Sequence, residues 1–284
     1  MTSWFARLGS AWMVVAAASF ACMSLLAAMA SQHMGAIEIL FYRTAIGLAV
    51  LLVPVALGRE RVATVHWPAH FRRSIAGYLS MAMLFYALTQ LPLATAVTLN
   101  YTSSLSFAVC CVLLRGERLS QLVKLALLLG FVGIVLILRP TFHAGQWLPG
   151  LVGLLSGAGA GLALFHVREL GELGERPGVT VFWLYFLSTV CGLAWVLLQG
   201  GFTPLGLSDL AAMLGVGLLG LLGQLAMTRA YKEGRKFVVS SLAYLTVVFS
   251  ALLGVVFGGQ PLSASAVLGM LMIIGCGMLA AKGS

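Results

Sequence analysis

Ten apolar stretches make up most of this 284-residue chain, and they restrict it to one kind of structure. A helix of about 20 residues spans the hydrocarbon core of a bilayer. Only helices and closed barrels satisfy their backbone hydrogen bonds there. The sequence therefore predicts an all-α membrane protein with ten transmembrane helices, and these lie near residues 10–31, 36–57, 72–90, 93–114, 120–138, 148–167, 179–198, 207–228, 237–257 and 262–281.

Composition excludes several other classes of protein. Hydrophobic residues make up 61% of the chain and charged residues 9%, whereas soluble domains carry about 25% charged residues. Ten spans leave no room for a soluble catalytic or nucleic-acid-binding domain. The first stretch is too long for a signal peptide and is followed at once by another, so we interpret it as a span. The expected surroundings are the lipid bilayer, with no nucleic acid partner.

An internal repeat divides the chain into two halves. Residues 87–120 align without gaps with residues 230–263 at an offset of 143, with identities that include Leu99/Leu242, Tyr101/Tyr244 and Ala108/Ala251. Repeats of this kind are typical of membrane transporters. The alternative is chance similarity between two apolar helices. We predict two repeats, residues 1–140 and 141–284, with five helices each.

Basic residues are sorted by loop. Of the 17 Lys and Arg residues, 15 fall on one side of the predicted spans, only Arg139 falls on the other, and Arg43 lies within a span. Arg72 and Arg73 count here as loop residues. By the positive-inside rule both termini are cytoplasmic, and the expected location is the inner (plasma) membrane. An odd number of helices per half inserts the second half upside down, so the repeat is predicted to be inverted.

Arg43 and Glu38 are the charged residues closest to a span interior. Arg43 lies about 10 Å from the predicted outer edge of the second span, where a charge normally faces the bundle interior or a water-filled cavity. Its guanidinium suits a carboxylate or phosphate group, so we predict a substrate anchor; the alternative is a structural ion pair. Glu38 is five residues away, about 140° around the helix, and is a weaker candidate for proton coupling or gating.

A polar segment marks the middle of the fourth span. It contains Asn100, Tyr101 and Ser103, and its counterpart in the ninth span contains Tyr244, with Ser241 nearby. Inverted-repeat transporters place their binding sites where such segments meet. We predict that these five residues line the substrate site. Helix–helix hydrogen bonding is the competing explanation.

Tyrosines within other spans are further candidates. Tyr78 and Tyr86 are predicted to contact substrate because a hydroxyl inside a span needs a partner, and Tyr185 is a weaker candidate of the same kind. The glycines at 153, 157 and 161 form a stripe that would allow close helix packing. The five cysteines fall inside spans without metal-ligand spacing. We predict no catalytic residue, no metal and no cofactor.

The chain resembles the EamA-like branch of the drug/metabolite transporter superfamily over essentially its whole length. Three segments carry the resemblance: Phe41-Tyr42-Arg43, the run from Leu93 to Ser103, and Gly116-Glu117-Arg118-Leu119-Ser120. The second is most similar to metabolite carriers, including those of the S-adenosylmethionine type. Where the family often has proline, this chain has Ser104 and Val247, which puts the family's helix kinks in doubt. The resemblance implies alternating access around a central site.

We therefore expect a secondary or exchange transporter of small polar metabolites, such as amino acids or nucleoside-like compounds, acting as a monomer or homodimer. The scarcity of acids within spans favours exchange over strong proton coupling. The alternatives are a membrane-embedded enzyme or assembly factor, which would need a polar catalytic cluster, and a channel, which would need rings of charge or a filter loop. The sequence offers neither feature.

Overall fold

The computed structural model describes residues 2–30, 34–91, 93–141, 145–258 and 263–283, and these ranges contain helices but no strands. The final part of the second repeat copy, residues 259–262, lies outside them. The helices are α1 (Thr2–Ala30), α2 (Ala36–Ala56), α3 (Trp67–Gln90), α4 (Leu93–Asn100), α5 (Ser103–Arg115), α6 (Gln121–Leu138), α7 (Trp147–Glu172), α8 (Pro177–Leu198), α9 (Leu207–Glu233), α10 (Lys236–Leu242), α11 (Leu245–Gly258) and α12 (Ala264–Gly283).

Nine stretches of the described residues are long and apolar enough to cross a membrane, one fewer than predicted. The predicted stretch 72–90 forms a helix, α3, but is not among the nine. With 24 residues α3 is long enough to span. It is less apolar because polar and charged side chains such as Arg72, Arg73, Ser74 and Ser80 lie along it.

The fourth and ninth spans are each interrupted in the middle. Tyr101 and Thr102 separate α4 from α5, and Ala243 and Tyr244 separate α10 from α11. At both points a backbone N–H donates to the carbonyl three residues earlier, as in a 3₁₀ turn, rather than four residues earlier. Thr102 N donates to Leu99 O (3.2 Å) and Tyr244 N to Ser241 O (3.3 Å). Tightened turns therefore interrupt both helices, although neither has the family's proline at this point.

Helix packing relates the two halves of the chain. In the first half α1 packs on α9 and α11; in the second, α7 packs on α3 and α5. Similarly, α2 packs on α9 while α8 packs on α3. The pairs α2–α8 and α6–α12 join corresponding helices of the two halves. Each of these pairs has its counterpart when the halves are exchanged, whereas α7 also packs on α9 and no contact of similar extent joins α1 to α3 among the described residues.

The start of α1, the start of α6 and the ends of α9 and α12 lie at one end of the bundle, which we call the terminal face. The backbone at Gly9 is packed against that of Glu233, and the Ser120 hydroxyl donates to the Gly283 carbonyl (2.7 Å). Ser120 also caps α6 by accepting from Val123 N (3.2 Å). The other end is called the opposite face.

The glycine stripe of α7 packs against the interrupted fourth span. A methyl group at Gly157 would meet the Thr102 hydroxyl and would lie 2.5 Å from the Leu99 carbonyl oxygen, and one at Gly161 would lie 2.6 Å from Phe107 N. These glycines therefore allow backbone-to-backbone contact at the turn between α4 and α5.

Candidate functional site

The predicted polar segment of the fourth span lies against α7. The Asn100 side-chain amide donates to the Ser156 hydroxyl (3.3 Å), which in turn donates to the Gly153 carbonyl (2.6 Å). Ser103 is partly buried, and its carbonyl faces Gly161 of α7. These contacts join helices, so they are of the kind that the helix-packing explanation requires. A role for Asn100 and Ser103 in substrate binding stays a prediction.

Tyr244 and Ser241 lie in the packed core beside α6 and α12. Both are fully buried, and the Tyr244 ring is packed on Gly130 while its hydroxyl donates to the Leu127 carbonyl (3.5 Å). Ser241 interacts with Cys276 of α12. Tyr101 is partly buried and its hydroxyl interacts with Thr246. The structure brings Tyr101 and Tyr244 to the same level of the bundle, at the interruptions of the two spans.

Two serines link the interrupted spans directly. The Ser104 hydroxyl donates to the Ser240 carbonyl (2.9 Å), and the Ser240 hydroxyl donates to the Ser104 carbonyl (3.4 Å). This reciprocal pair joins α5 to α10 within the buried core. The two interrupted spans therefore cross at a polar contact between backbone and side chains.

Tyr78 and Tyr86 both belong to α3. Tyr78 is partly buried and interacts with Cys191 of α8. Tyr86 is 44% exposed on α3. Their role as substrate contacts stays a prediction.

Arg43 lies where α1, α2, α8 and α9 meet. Its guanidinium carbon is 5.8 Å from the centre of the Phe20 ring. The Nε atom of Arg43 is buried and makes no hydrogen bond, and a methyl group added at Gly220 of α9 would lie 3.0 Å from it. Arg43 also interacts with the Tyr185 hydroxyl of α8. The glycine on α9 therefore leaves space that the guanidinium occupies.

Glu38 does not pair with Arg43. It is buried, with a relative exposure of 7%, and accepts two hydrogen bonds from Thr203: from the backbone N at 2.9 Å and from the hydroxyl at 2.8 Å. The carboxylate thereby ties the start of α2 to the connection between α8 and α9. The structural ion pair considered from sequence is absent from the described residues. A coupling or gating role for Glu38 stays a prediction.

A buried arginine, Arg73, corrects the sequence interpretation. It lies within α3 rather than in a loop and is only 4% exposed. Its guanidinium folds over Gly77, where a methyl group would lie 2.5 Å from Nη1, and it interacts with Tyr185. The spacing of Arg73, Gly77 and Ser80 along one helical face was a signal that could have separated Arg73 from the exposed Arg72.

Tyr185 lies between the two arginines. It is 1% exposed, and its ring is packed directly on Gly47, one turn after Arg43 on α2. Its hydroxyl makes no hydrogen bond of normal geometry within the described residues. The next turn of α8 adds two more unpaired polar groups, because the hydroxyls of Ser188 and Thr189 are also buried without a hydrogen-bond partner. Buried polar groups normally have partners, so this cluster is unusual.

No acidic residue neutralises Arg43 or Arg73. The chain has eight Asp and Glu residues, all within the described ranges, and each has another partner. The pairs are Glu38–Thr203, Glu60–Arg176, Glu117–Lys236, Glu169–Arg72 and His166, Glu172–Arg115 and Arg168, Glu175–His70 and Thr64, Asp209–Gly206 N, and Glu233–Arg229.

Ion pairs and charged hydrogen bonds join the helices at the terminal face. Glu172 of α7 pairs with both Arg115 of α5 and Arg168. Arg168 also donates to the Tyr231 carbonyl of α9 (2.6 Å), and Lys236 of α10 pairs with Glu117. Helices of the first half are thus tied to helices of the second half at this face.

The described residues also border an open cleft of about 410 Å³ near the opposite face. It lies between α4 and the start of α7, and most of its lining is apolar, so it suits a polar ligand poorly. The lining residues are Leu99, Gly145, Gln146, Trp147, Gly150, Leu151 and Leu154.

Comparisons with known proteins agree with this architecture. The sequence model of the EamA-like transporter family matches residues 7–139 and again residues 148–280. The pseudopaline exporter CntI of Pseudomonas aeruginosa is 30% identical over 270 residues, which cover 93% of this chain and 92% of the exporter. A riboflavin transporter of Rhizobium johnstonii is 27% identical over 277 residues, which cover 95% of this chain and 89% of that transporter. A crystal structure of a protein 21% identical superposes with a TM-score of 0.82 over 96% of both chains, which shows a shared fold.

Proposed function

Because the chain belongs to the EamA-like transporter family, we propose that it moves small polar metabolites across a bacterial inner membrane by alternating access. Amino acids and nucleoside-like compounds such as S-adenosylmethionine are the first candidates. The relatives add two to the panel, because one is named a pseudopaline exporter and another a riboflavin transporter. The protein acts as a monomer or homodimer with both termini in the cytoplasm.

An inverted repeat is part of this proposal. Two features support it: the helix pairs that recur on exchange of the halves, such as α1–α9 and α7–α3, and the interruptions at Tyr101 and Tyr244, which are equivalent residues at the offset of 143. Five spans in each half would place the second half upside down. Alternating access would then be a movement of one half against the other.

The observation that carries the proposal is the position of Arg43. A guanidinium within a span, at the junction of four helices from both halves and without an acidic partner, is suited to a ligand that reaches the bundle interior. Its contact with Gly220 and Tyr185 joins α2 to two helices of the second half. A ligand held there would contact elements of both halves and could bias their arrangement.

Exchange is the favoured mode of transport. The described part of the chain contains no carboxylate without a partner that could act as a free proton carrier, and Glu38 is bonded to Thr203. Flux should therefore depend on substrate on the far side of the membrane. It should persist when a pH gradient is collapsed at a fixed substrate gradient.

The test is uptake of labelled compounds by purified protein in liposomes, either preloaded with the same compound or empty. We expect flux that requires internal substrate and falls at least about tenfold in Arg43→Gln, because that variant removes the charge from the junction. Arg139→Gln is the control, since Arg139 is a loop arginine that bonds Ser265. Equal flux in both variants, with both proteins folded, would contradict the role of Arg43.

A further inference from the structure

A partly buried guanidinium with a buried Nε, a fully buried guanidinium and a buried tyrosine hydroxyl lie together in the interior of the bundle. Arg43 comes from α2, Arg73 from α3 and Tyr185 from α8, a helix that packs on both α2 and α3, and both guanidinium groups are within electrostatic range of the Tyr185 hydroxyl. Glycines at positions 47 and 77 bring these groups together: the Tyr185 ring is packed on Gly47 and the Arg73 guanidinium lies over Gly77. The grouping therefore depends on specific backbone positions in α2 and α3.

Charge balance points to a ligand that this cluster requires. Each of the eight acidic residues is engaged elsewhere, so neither arginine has a counter-charge among the described residues. Nε of Arg43, Nε of Arg73 and the hydroxyl of Tyr185 are buried without hydrogen-bond partners. Burying an unpaired charge is costly, and burying two together more so. An anion would remove both the charge imbalance and the unsatisfied donors.

The donor set indicates the chemistry of that anion. Each guanidinium is a planar fork that binds a carboxylate through two parallel hydrogen bonds, and a tyrosine hydroxyl between them donates a further bond. We propose that Arg43, Arg73 and Tyr185 form a binding site for a substrate with two carboxylate groups, one held by each arginine. This inference rests on the proposed transport function and narrows its substrate class.

The alternative counter-ion is inorganic. Chloride would also supply negative charge to the cluster, but one chloride balances only one of the two guanidinium groups and does not need two planar forks on separate helices. The unpaired hydroxyls of Ser188 and Thr189 continue the polar surface along α8, one turn beyond Tyr185. A polyatomic ligand with a polar body can use that extension, whereas a single ion cannot.

The experiment measures ligand-induced thermal stabilisation of the purified full-length protein. Probes are dicarboxylates of increasing length (succinate, glutarate, pimelate), the monocarboxylate butyrate, the neutral diamide glutaramide, and chloride. We expect one dicarboxylate length to bind best and butyrate to bind at least about tenfold more weakly, because one charge-assisted contact is lost. Glutaramide should give no shift.

Matched variants connect binding to the cluster. Arg73→Gln and Arg43→Gln should raise the Kd for the best dicarboxylate by at least about tenfold, and Tyr185→Phe by about threefold to tenfold. Arg72→Gln is the control, because Arg72 is adjacent in sequence but exposed and paired with Glu169. Arg73→Lys keeps the charge, so it should fold and bind with intermediate affinity. Monodispersity in size-exclusion chromatography identifies variants that fail to fold.

Three results would overturn the site. They are dicarboxylate binding that is unchanged in Arg73→Gln, stabilisation by chloride equal to that by any dicarboxylate, and no dicarboxylate binding to folded wild-type protein. Liposome exchange with neutral compounds on the same preparations separates this inference from the function. Flux of a neutral compound without dicarboxylate binding leaves transport standing, whereas dicarboxylate binding without flux of any compound supports the site and counts against transport.

Discussion

Arg72 and Arg73 are adjacent in sequence, yet they lie in opposite environments. Arg72 is exposed and pairs with Glu169, whereas Arg73 turns inward over Gly77 and is only 4% exposed. Counting charges per loop cannot separate them, because that rule ignores which face of a helix a residue occupies. Arg43 was recognisable from sequence alone because its neighbours are apolar. Arg73 required the helix to be placed.

Glu38 allows a prediction at this scale. Glu38→Gln keeps one acceptor for Thr203 but loses the charge-assisted bond, so we expect a loss of about 1–3 kcal/mol of stability. Thermal unfolding measures this loss, with Asp209→Asn as an exposed control at the neighbouring helix start. Exchange flux and its response to pH gradients should remain unchanged. A pH response present in wild type and lost in Glu38→Gln would instead identify Glu38 as the coupling carboxylate.

At the scale of elements, the interrupted spans were predictable in position but not in form. The repeat and the polar residues around Tyr101 and Tyr244 pointed to the correct place in each helix. The absence of proline argued against a break there, because sequence rules associate sharp kinks with proline. The structure interrupts the helices by tightened turns, with the Thr102 hydroxyl donating to the Leu99 carbonyl (2.7 Å). Such local competition for backbone carbonyls leaves only a weak sequence signal.

The contact between α7 and the fourth interruption gives a second prediction. Gly157→Ala places a methyl group against Thr102 and the Leu99 carbonyl, so α7 must move away. We expect a loss of about 1–3 kcal/mol, typical of overpacking. Thermal unfolding measures it. Gly254→Ala in α11 is the control because nothing lies within 4 Å of its added methyl group. Equal stability of the two variants would show that the α7 contact is not tight.

Across the whole molecule, the fold class followed from the apolar stretches because a lipid environment leaves few alternatives. What the sequence could not show is how charges are shared between the halves. Glu172 and Glu117 belong to different halves, and each pairs with a basic residue of the other half: Arg115 for Glu172 and Lys236 for Glu117. These contacts join the two halves at the terminal face. Pairings between distant segments depend on the assembled bundle, which no local pattern encodes.

This arrangement gives a prediction about conformational balance. Glu172→Gln removes the partner of both Arg115 and Arg168, so we expect a larger share of molecules with the terminal face open. Double electron–electron resonance between spin labels at positions 118 and 173, both exposed, should show a new longer distance. Glu233→Gln is the control because its pair with Arg229 lies within α9. An unchanged distance distribution in Glu172→Gln would contradict a gating role for this network.

The unpaired arginines would make reorientation of the empty protein sensitive to voltage. A membrane potential acts on any charge that shifts within the bilayer, with about 2.3 kcal/mol for one charge moved across 100 mV. Reorientation of the empty protein around Arg43 and Arg73 would do electrical work, whereas a bound dianion would cancel most of it. The potential of a living cell would therefore bias the resting orientation of the empty protein while leaving the loaded form almost indifferent.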